Sequence, residues 1–415
     1  MSNRMKRKAV TDADQRAKRA RGETDLGHGL RWTSEGTEQG TCPQLMCLTS
    51  DDLEGRPKIA GFDIDFTVIK TASGRKFAVG SNDWEFWDEE VPAKLKSLHN
   101  DGYRVIFFTN QAGIEKQKTT PEVFKTKLES IIGALSIPVF VFASTGVNHF
   151  RKPYTAMWDF FVEQCNQGVK VNKSESFYVG DAAGRAKNWA PNKPKDFSCS
   201  DRMFAANIGI KFYTPEEFFL GEASSPFEWG SLDPCNFLKT NSAISKESDK
   251  ACYAEKSQEM VVMVGPPASG KSTFRQRYLE PHGYVAVNRD SLGTADKCLK
   301  VAGEALKKGK SVVVDNTNPA KSARASFVEL AKKNGVPCRC IWLQTPIDLA
   351  HHLNLYRQSQ TLGKTRRVPD VGYNVFKKNF EEPLKSEGFT EVKKVPFKPR
   401  FDTSADEALF KKWTV

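Results

Sequence analysis

The chain contains 415 residues, and 62 Lys and Arg against 50 Asp and Glu give it a formal net charge of +12. This length is enough for two or three domains with full cores, and the positive charge favours association with polyanions without indicating a fold. No apolar run approaches the roughly 18 residues of a membrane-spanning helix, and the nine cysteines show no metal-ligand spacing, so neither a membrane protein nor a cysteine-ligated metal module is indicated.

Residues 1–50 are polar, rich in charge and glycine, and lack hydrophobic periodicity, which predicts a disordered basic tail. Two basic clusters lie in this tail, at residues 6–8 and 16–21. Their spacing is typical of a two-part nuclear import signal, although a solvated tail that contacts nucleic acid non-specifically explains them equally well. Because no apolar signal-peptide core is present, we expect an intracellular protein with reduced cysteines, located in the nucleus.

Two regions of the chain alternate short apolar runs with segments of helical period. Residues 51–220 contain predicted strands at Ile59–Phe62, Arg104–Phe108, Val139–Phe142, Phe177–Val179 and Ile208–Phe212. Residues 258–415 contain predicted strands at Met260–Val264, Tyr284–Val287, Ser311–Val314, Arg339–Leu343 and Thr390–Val395. Residues 221–257, with Ser, Pro, Gly and mixed charge, are interpreted as a linker. The chain is thus predicted to be an α/β protein with two doubly wound parallel-sheet domains.

The first strand of the first domain runs into Asp63-Ile64-Asp65-Phe66-Thr67. Two carboxylates at the carboxyl end of a buried strand lie where open α/β sheets bind ligands. Asp63 can attack phosphorus, and Asp65 can give a proton to the departing oxygen and later take one from water. Alone this motif is a weak signal, because it occurs by chance in turns.

Polar residues also follow the next three strands. Thr109 and Asn110 offer a hydroxyl and main-chain amides to phosphate, and Lys152 supplies a cation. Asp181 adds a carboxylate suited to Mg²⁺, which prefers a few oxygen ligands and substrate phosphate. A strand-end cap or a surface ion pair explains each residue taken alone, but the ordered set predicts a site that removes phosphate from an ester.

This segment resembles the haloacid-dehalogenase phosphatase superfamily. The resemblance implies a Rossmann-like domain in which Asp63 is the nucleophile and Asp65 is the general acid and base. It implies that the phosphoryl oxygens are held by Thr109, Asn110 and Lys152. It also implies that Mg²⁺ is bound by Asp63, the main-chain carbonyl of Asp65, and Asp181.

One position departs from this family, which usually has Gly where this chain has Phe66. If the position requires a positive φ, a Phe there costs about 1–2 kcal/mol, and its ring narrows the approach to Asp65. The alternative is an ordinary conformation in which the ring lines the mouth of the site.

A glycine-rich loop follows the first strand of the second domain, with the sequence Gly265-Pro266-Pro267-Ala268-Ser269-Gly270-Lys271-Ser272. A helix is predicted from Thr273 to Leu279, so main-chain amides and the helix N-terminus would face bound phosphates. Lys271 would reach the β- and γ-phosphate oxygens, and Ser272 would bind Mg²⁺. The alternative, a chance glycine-rich turn, is disfavoured by the strand–loop–helix context.

Two further motifs end the next two strands, Asn288-Arg289-Asp290 and Asp315-Asn316-Thr317-Asn318. Asp290 can accept a proton from an attacking hydroxyl, although a helix cap explains it equally well. Downstream, a polar stretch follows a helix at the place where a lid over ATP is expected. Surface charge explains its residues as well, and they are Asn354, Arg357, Arg366 and Arg367.

The second domain resembles polynucleotide 5′-kinases, and the whole chain is similar to the family of bifunctional polynucleotide phosphatase/kinases. The resemblance implies Asp290 as catalytic base and ATP bound by residues 265–273 with Arg357, Arg366 and Arg367. It implies Mg²⁺ and ATP as cofactors and DNA with 3′-phosphate and 5′-hydroxyl ends as substrate. The candidate protein partner is a repair scaffold or a ligase, and we expect a monomer. A forkhead-associated domain, present in vertebrate members, has no room in the first 50 residues.

Two other functions stay open beside DNA end processing. A bifunctional kinase and phosphatase of a small metabolite would not need the net positive charge, and its binding would not fall steeply with salt. An end-binding scaffold with an impaired phosphatase site is suggested by Phe66, but every ionisable group that the mechanism needs is present. End processing is favoured because 3′-phosphate hydrolysis through an aspartyl-phosphate and 5′-hydroxyl phosphorylation act on opposite sides of one strand break.

Overall fold

The computed structural model describes residues 26–36, 42–241 and 253–414. They form two compact units that divide between Gly230 and Ser231. The basic clusters at residues 6–8 and 16–21, and with them the predicted import signal, lie outside the described residues. Within these ranges no helix is both long enough and apolar enough to cross a membrane.

A mixed sheet forms the centre of the first unit. The strands of this unit are β1 (Arg31–Glu35), β2 (Leu45–Thr49), β3 (Lys58–Phe62), β4 (Ile69–Lys70), β5 (Glu85–Phe86), β6 (Tyr103–Asn110), β7 (Phe140–Ser144), β8 (Phe177–Val179) and β9 (Lys211–Tyr213). Seven of them pair in the order β1-β2-β7-β6-β3-β8-β9, and β4 pairs with β5 in a separate hairpin. From β7 to β9 the strands are parallel, which confirms the parallel sheet predicted for this domain.

Strands β1 and β2 correct the prediction that residues 1–50 are disordered. They pair with each other, and β2 pairs antiparallel with β7. Met46 and Leu48 pack in the core on one face of the sheet, and Leu45 and Cys47 pack on the other. A five-residue strand buried on both faces shows no alternation, so periodicity could not separate it from the polar tail around it.

Helices cover both faces of this sheet, as the prediction of a doubly wound domain requires. They are α1 (Glu90–Asn100), α2 (Pro121–Leu135), α3 (Ala156–Phe160), α4 (Ser200–Ile208) and α5 (Pro215–Phe219). Thr120 caps the start of helix α2: its hydroxyl accepts a hydrogen bond from the Val123 amide, and Pro121 fits the first turn. Side chains of α1, α2 and α5 pack on one face, and those of α3 and α4 pack on the other.

The second unit has a fully parallel sheet. Its strands are β10 (Met260–Val264), β11 (Val285–Val287), β12 (Val312–Val314), β13 (Cys338–Gln344) and β14 (Glu391–Pro396), in the order β11-β12-β10-β13-β14. All four pairings are parallel, which confirms the second predicted sheet. The helices are α6 (Pro234–Asn241), α7 (Lys271–Tyr278), α8 (Arg289–Leu292), α9 (Ala295–Lys307), α10 (Lys321–Lys333), α11 (Ile347–Gln360), α12 (Asp370–Asn379) and α13 (Ser404–Phe410).

The described parts of the predicted linker, residues 221–241 and 253–257, are divided between the two units, and residues 242–252 lie outside the described residues. Phe227 lies 3.7 Å from the guanidinium of Arg202 and pairs with Arg185 in an isolated bridge, so this part belongs to the first unit. Helix α6 belongs to the second unit, since its Phe237 packs against Phe410. The composition of the segment is polar, but Phe227 and Phe237 each attach the part that contains them to its own unit.

Candidate active sites

The first site lies at the carboxyl edge of the seven-stranded sheet and is centred on a buried ammonium group. Lys152 Nζ lies 2.8 Å from Asp63 Oδ1, 2.7 Å from Asp201 Oδ1 and 2.8 Å from Tyr178 Oη. Burial acts to lower the Lys152 pKa, but the charges of Asp201 and Asp63 outweigh it and raise the pKa. Lys152 is therefore a fixed cation, placed where a phosphoryl group bound to Asp63 would lie.

Three carboxylates meet beside this cation. Asp63, Asp181 and Asp201 each place one oxygen within 4.8 Å of the others. Burial raises the pKa of Asp63 to about 7 against the opposing effect of Lys152, and burial together with Asp201 raises that of Asp181 well above its usual value. One ammonium does not neutralise three buried carboxylates, and a hard divalent cation with oxygen ligands would do so. The residues present therefore fit Mg²⁺.

Asp201 was missed by the sequence analysis. It lies in the first turn of α4, and its Oδ2 accepts a hydrogen bond of 3.0 Å from the Ala182 amide. A β-carbon on Gly180 would lie 2.4 Å from Asp201 Oδ2, so only glycine allows the carboxylate this close. The one available signal was an acidic residue in a helix whose neighbouring positions, Met203 and Phe204, are apolar and buried.

Asp65 has a different environment from Asp63. Its Oδ1 lies 3.1 Å from Lys127 Nζ, and its Oδ2 accepts a hydrogen bond of 2.9 Å from Gln111. The Asp65 side chain is 44% exposed, whereas that of Asp63 is 15% exposed. The inner carboxylate suits attack on phosphorus, and the outer one suits proton exchange with a leaving group and water. Lys127, Gln111 and Tyr178 were not among the predicted site residues.

The two predicted phosphate-binding residues on β6 differ in what they contact. Thr109 is buried, and its hydroxyl oxygen lies 3.0 Å from Gln111 Nε2. The Asn110 side chain accepts a hydrogen bond from the Lys152 amide at 2.9 Å and donates one to the Lys152 carbonyl at 3.2 Å. In this structure Asn110 therefore positions Lys152.

Phe66 adopts the first of the two conformations considered for it. Its φ is 61°, in the left-handed region, and its amide donates a hydrogen bond of 2.7 Å to the Ile69 carbonyl. A side chain in this region costs about 1–2 kcal/mol. The structure therefore has a strained residue directly after Asp65.

The second site is the glycine-rich loop between β10 and α7. Ala268 and Gly270 have positive φ values of 56° and 91°, which turn the loop around the Lys271 side chain. Lys271 Nζ donates hydrogen bonds to the carbonyls of Gly265 and Pro266, at 3.0 and 2.7 Å. Burial lowers the pKa of Lys271 to about 8, against the opposing charges of Asp315 and Asp290. This cation contacts neutral acceptors of its own loop.

Hydrogen bonds join the two predicted motifs to each other and to β10, the strand that precedes the loop. Asn288 Nδ2 donates to the Asp315 carbonyl at 2.6 Å, and the Arg289 amide donates to Asn316 Oδ1 at 2.8 Å. Asn318 Nδ2 donates to the Met263 carbonyl at 2.8 Å. The structure thus brings the ends of β10, β11 and β12 together, as the motif order predicts.

The predicted lid residues are not all at this site. A cavity of about 1160 Å³ is lined by residues 268–273 of the loop and helix and by Arg357. Arg366 and Arg367 are not among its lining residues, and Arg367 pairs with Asp370 at 3.2 Å. Asp290 lies at the start of α8, where its amide bonds Asn288 Oδ1 at 2.7 Å. The charge of the Asp290 carboxylate also opposes the lowering of the Lys271 pKa by burial.

Comparison with known proteins gives the same division of the chain. The polynucleotide kinase 3 phosphatase family matches residues 58–219, and an AAA domain family matches residues 260–383. The bifunctional polynucleotide phosphatase/kinase of Schizosaccharomyces pombe is 41% identical over 348 residues, which cover 83% of this chain and 81% of that relative. The chain belongs to the bifunctional polynucleotide phosphatase/kinase family.

Other relatives of this phosphatase/kinase match part of it. Polynucleotide 3′-phosphatase ZDP of Arabidopsis thaliana is 35% identical over 190 residues, which cover 42% of this chain and 26% of that protein. The polynucleotide 3′-phosphatase of Saccharomyces cerevisiae is 26% identical over 216 residues, which cover 39% of this chain and 87% of that protein. The phosphatase/kinase is an enzyme of two classes, a hydrolase and a transferase. Haloacid-dehalogenase phosphatase families and P-loop kinase families generally use Mg²⁺ and ATP.

Proposed function

We propose that this phosphatase/kinase processes DNA strand breaks. Its first unit hydrolyses a 3′-phosphate, and its second unit phosphorylates a 5′-hydroxyl with ATP, so that both ends can be joined by a ligase. The observation that carries the proposal is the presence of two assembled phosphate sites of opposite chemistry, centred on Lys152 and Lys271, in one member of this family.

In the phosphatase reaction, Lys152 and the Thr109 hydroxyl hold the phosphoryl oxygens while an Asp63 oxygen attacks phosphorus. The bond from phosphorus to the 3′-oxygen breaks, and Asp65 gives its proton to that oxygen. Asp65 then takes a proton from water, whose oxygen displaces Asp63 and releases inorganic phosphate. Mg²⁺, held by Asp63, Asp181, Asp201 and the Asp65 carbonyl, would supply charge neutralisation for the phosphoryl oxygens. The ion pair with Lys127 and the hydrogen bond donated by Gln111 orient the Asp65 carboxylate toward the departing oxygen.

In the kinase reaction, the main-chain N–H groups of Gly265 and of residues 268–273, at the loop and the start of α7, bind the ATP phosphates, and Ser272 is the residue that would hold Mg²⁺. Lys271 exchanges the Gly265 and Pro266 carbonyls for phosphate oxygens. Asp290 accepts the proton of the 5′-hydroxyl, whose oxygen attacks the γ-phosphorus while ADP leaves. Arg357 contacts ATP from the cavity wall, and Arg366 and Arg367 reach it when the segment after α11 closes.

A nuclear DNA substrate also fits the charge of the chain. The excess of 12 positive charges favours phosphate-backbone binding. We propose a nuclear location directed by the basic clusters at residues 6–8 and 16–21, a monomeric enzyme, and a repair scaffold or a ligase as protein partner. Import of a fluorescent fusion, compared with a fusion whose two clusters are replaced by neutral residues, tests the location.

One assay tests the function as a whole. The protein is incubated with Mg²⁺, γ-labelled ATP and a nicked duplex that carries a 3′-phosphate and a 5′-hydroxyl. We expect inorganic phosphate to be released, label to appear at the 5′ end, and a ligase then to seal the nick. Both activities should fall steeply with salt. Salt-independent turnover of small phosphate esters, with no change at the nick, would support the metabolite enzyme instead.

A further inference from the structure

Phe66 is a residue that neither packing nor backbone conformation explains. Its side chain belongs to neither core cluster of the first unit, and the residue is 41% exposed. Phe62, four residues before it at the end of β3, is by contrast fully buried. The ring of Phe66 therefore contributes little apolar burial to folding.

The backbone at Phe66 favours glycine. Its φ of 61° is fixed by the turn, since its amide bonds the Ile69 carbonyl at 2.7 Å and the amides of Val68 and Ile69 bond the Ile64 carbonyl at 2.9 and 3.0 Å. Glycine adopts this conformation without the steric conflict that a β-carbon causes. A bulky side chain kept in such a conformation at an active site indicates a functional use of that side chain.

The reaction places a specific part of the substrate beside this ring. Asp65 exchanges its proton with the 3′-oxygen, so the terminal ribose and its base lie next to the Asp65 carboxylate during the first step. Phe66 follows Asp65 in the turn between β3 and β4, and the Asp65 side chain is more exposed than that of Asp63. Asp63 and Lys152, which would contact the phosphoryl group, are more deeply buried than Asp65. Phe66 therefore lies on the nucleoside side of the site.

We propose that Phe66 is a substrate-binding residue whose ring stacks on the 3′-terminal nucleoside, so that the site prefers polynucleotide ends to small phosphate esters. The inference rests on the proposed phosphatase function of this site. Stacking of a base on an aromatic ring tolerates every base, because each has a π face. This chemistry suits an enzyme that acts on breaks at any sequence.

The test combines a change in the ring with a change in the base. The variant is Phe66→Gly in the full chain, and Phe66→Tyr keeps an aromatic ring. The substrates are a single-stranded oligonucleotide with a 3′-phosphate and the same oligonucleotide whose last residue lacks its base. In the parent, removal of the base should raise KM on the order of tenfold. In Phe66→Gly the ratio of KM without the base to KM with the base should approach one, because KM for the base-bearing substrate rises. Phe66→Tyr should restore the ratio of the parent.

A matched control separates backbone relief from ring contact. Ser136 also has a positive φ, 54°, as the residue that ends α2. It precedes β7 and so lies at the opposite edge of the sheet from the site. Ser136→Gly should leave the KM ratio and kcat of the parent unchanged, and neither glycine variant should lower the thermal midpoint.

The outcomes distinguish the inference from the function on which it rests. A KM ratio in Phe66→Gly equal to that of the parent, or an equal rise in KM for both substrates, contradicts the stacking contact. Absence of phosphate release from either oligonucleotide by the parent enzyme contradicts the phosphatase function itself.

Discussion

The two lysines proposed to bind phosphate are buried in different ways. Lys152 in the first unit lies between two carboxylates, at 2.8 Å from Asp63 and 2.7 Å from Asp201. Lys271 in the second unit lies on two main-chain carbonyls, at 3.0 and 2.7 Å. Burial lowers the Lys271 pKa to about 8, whereas the neighbouring carboxylates raise the Lys152 pKa in spite of burial.

This difference indicates how each site is prepared for its substrate. The phosphatase cation is part of a charge network that exists before substrate binds, and it joins the reacting carboxylate to the rest of the fold. The Lys271 ammonium is buried and hydrogen-bonded to carbonyls, with no carboxylate of the described residues in direct contact. Binding of the ATP phosphates would therefore stabilise its charge more than it would stabilise that of Lys152. We therefore expect the first site to support the stability of its unit and the second to depend on its ligand.

Matched substitutions give the largest expected contrast in stability. Lys152→Met leaves Asp63 and Asp201 buried without their cation and should lower the free energy of unfolding of the first unit by about 3–5 kcal/mol. Lys271→Met removes a desolvated charge from neutral acceptors and should change the free energy of unfolding of the second unit by about 1 kcal/mol. Hydrogen exchange followed by mass spectrometry, with chelator present, reads the two units separately. Equal losses in both units would contradict the contrast.

Binding of MgATP should make the stability of the second unit depend on its lysine, Lys271. At 100 times its Kd, MgATP should stabilise the second unit by about 2.7 kcal/mol. Lys271→Ala should lose most of this gain, because the cation that meets the phosphates is missing. The measurement is the same exchange experiment with and without nucleotide, and Lys152→Met serves as the control that retains the gain. Full stabilisation of Lys271→Ala by MgATP would show that the loop cation is not part of the ATP site.

The two units should respond to pH in opposite directions when metal is absent. Burial raises the Asp63 pKa to about 7, so the folded first unit binds the proton more tightly than the unfolded chain and loses stability as pH rises from about 4 to 7. Burial lowers the pKa of His352 in the second unit from 6.5 to about 4, so this unit loses stability as pH falls through that range. Hydrogen-exchange protection of each unit, compared at pH 5 and pH 7, measures how its stability changes with pH.

Mg²⁺ provides the control for the pH experiment. Its binding to the three carboxylates of the first unit should remove the loss at pH 7, and Asp201→Asn should weaken this rescue. Stability of the first unit that rises with pH in chelator would contradict the account of its charge network.

The smallest expected effect is that of Phe66 on the rate of 3′-phosphate release. Phe66→Gly should change kcat for 3′-phosphate release by less than about tenfold, because Asp63, Asp65 and Lys152 keep their contacts. Steady-state kinetics with saturating oligonucleotide measures this. A gain of a hundredfold or more would show that the phenyl ring impairs the phosphatase of this chain.

The sequence predicts strands and strand-end motifs well, because each is a local pattern. Asp63, Thr109 and Gly265 each directly follow or end a buried apolar run, and all lie at the expected edges. It does not predict Asp201 or Lys127, because their positions depend on how α4 and α2 pack on the sheet. It also missed β2, whose apolar run is too short to show a period. Residues that reach a site from a helix are found only when packing is known.

Two single substitutions, each assayed for both activities, test the central claim that one chain contains two independent phosphate sites. On the nicked duplex, Asp63→Asn should abolish release of the 3′-phosphate and leave 5′ phosphorylation at the parent rate. Lys271→Ala should do the converse, and a mixture of the two variants should restore both reactions. If either variant, with its fold intact, lost both activities, the account of two separate sites would be wrong.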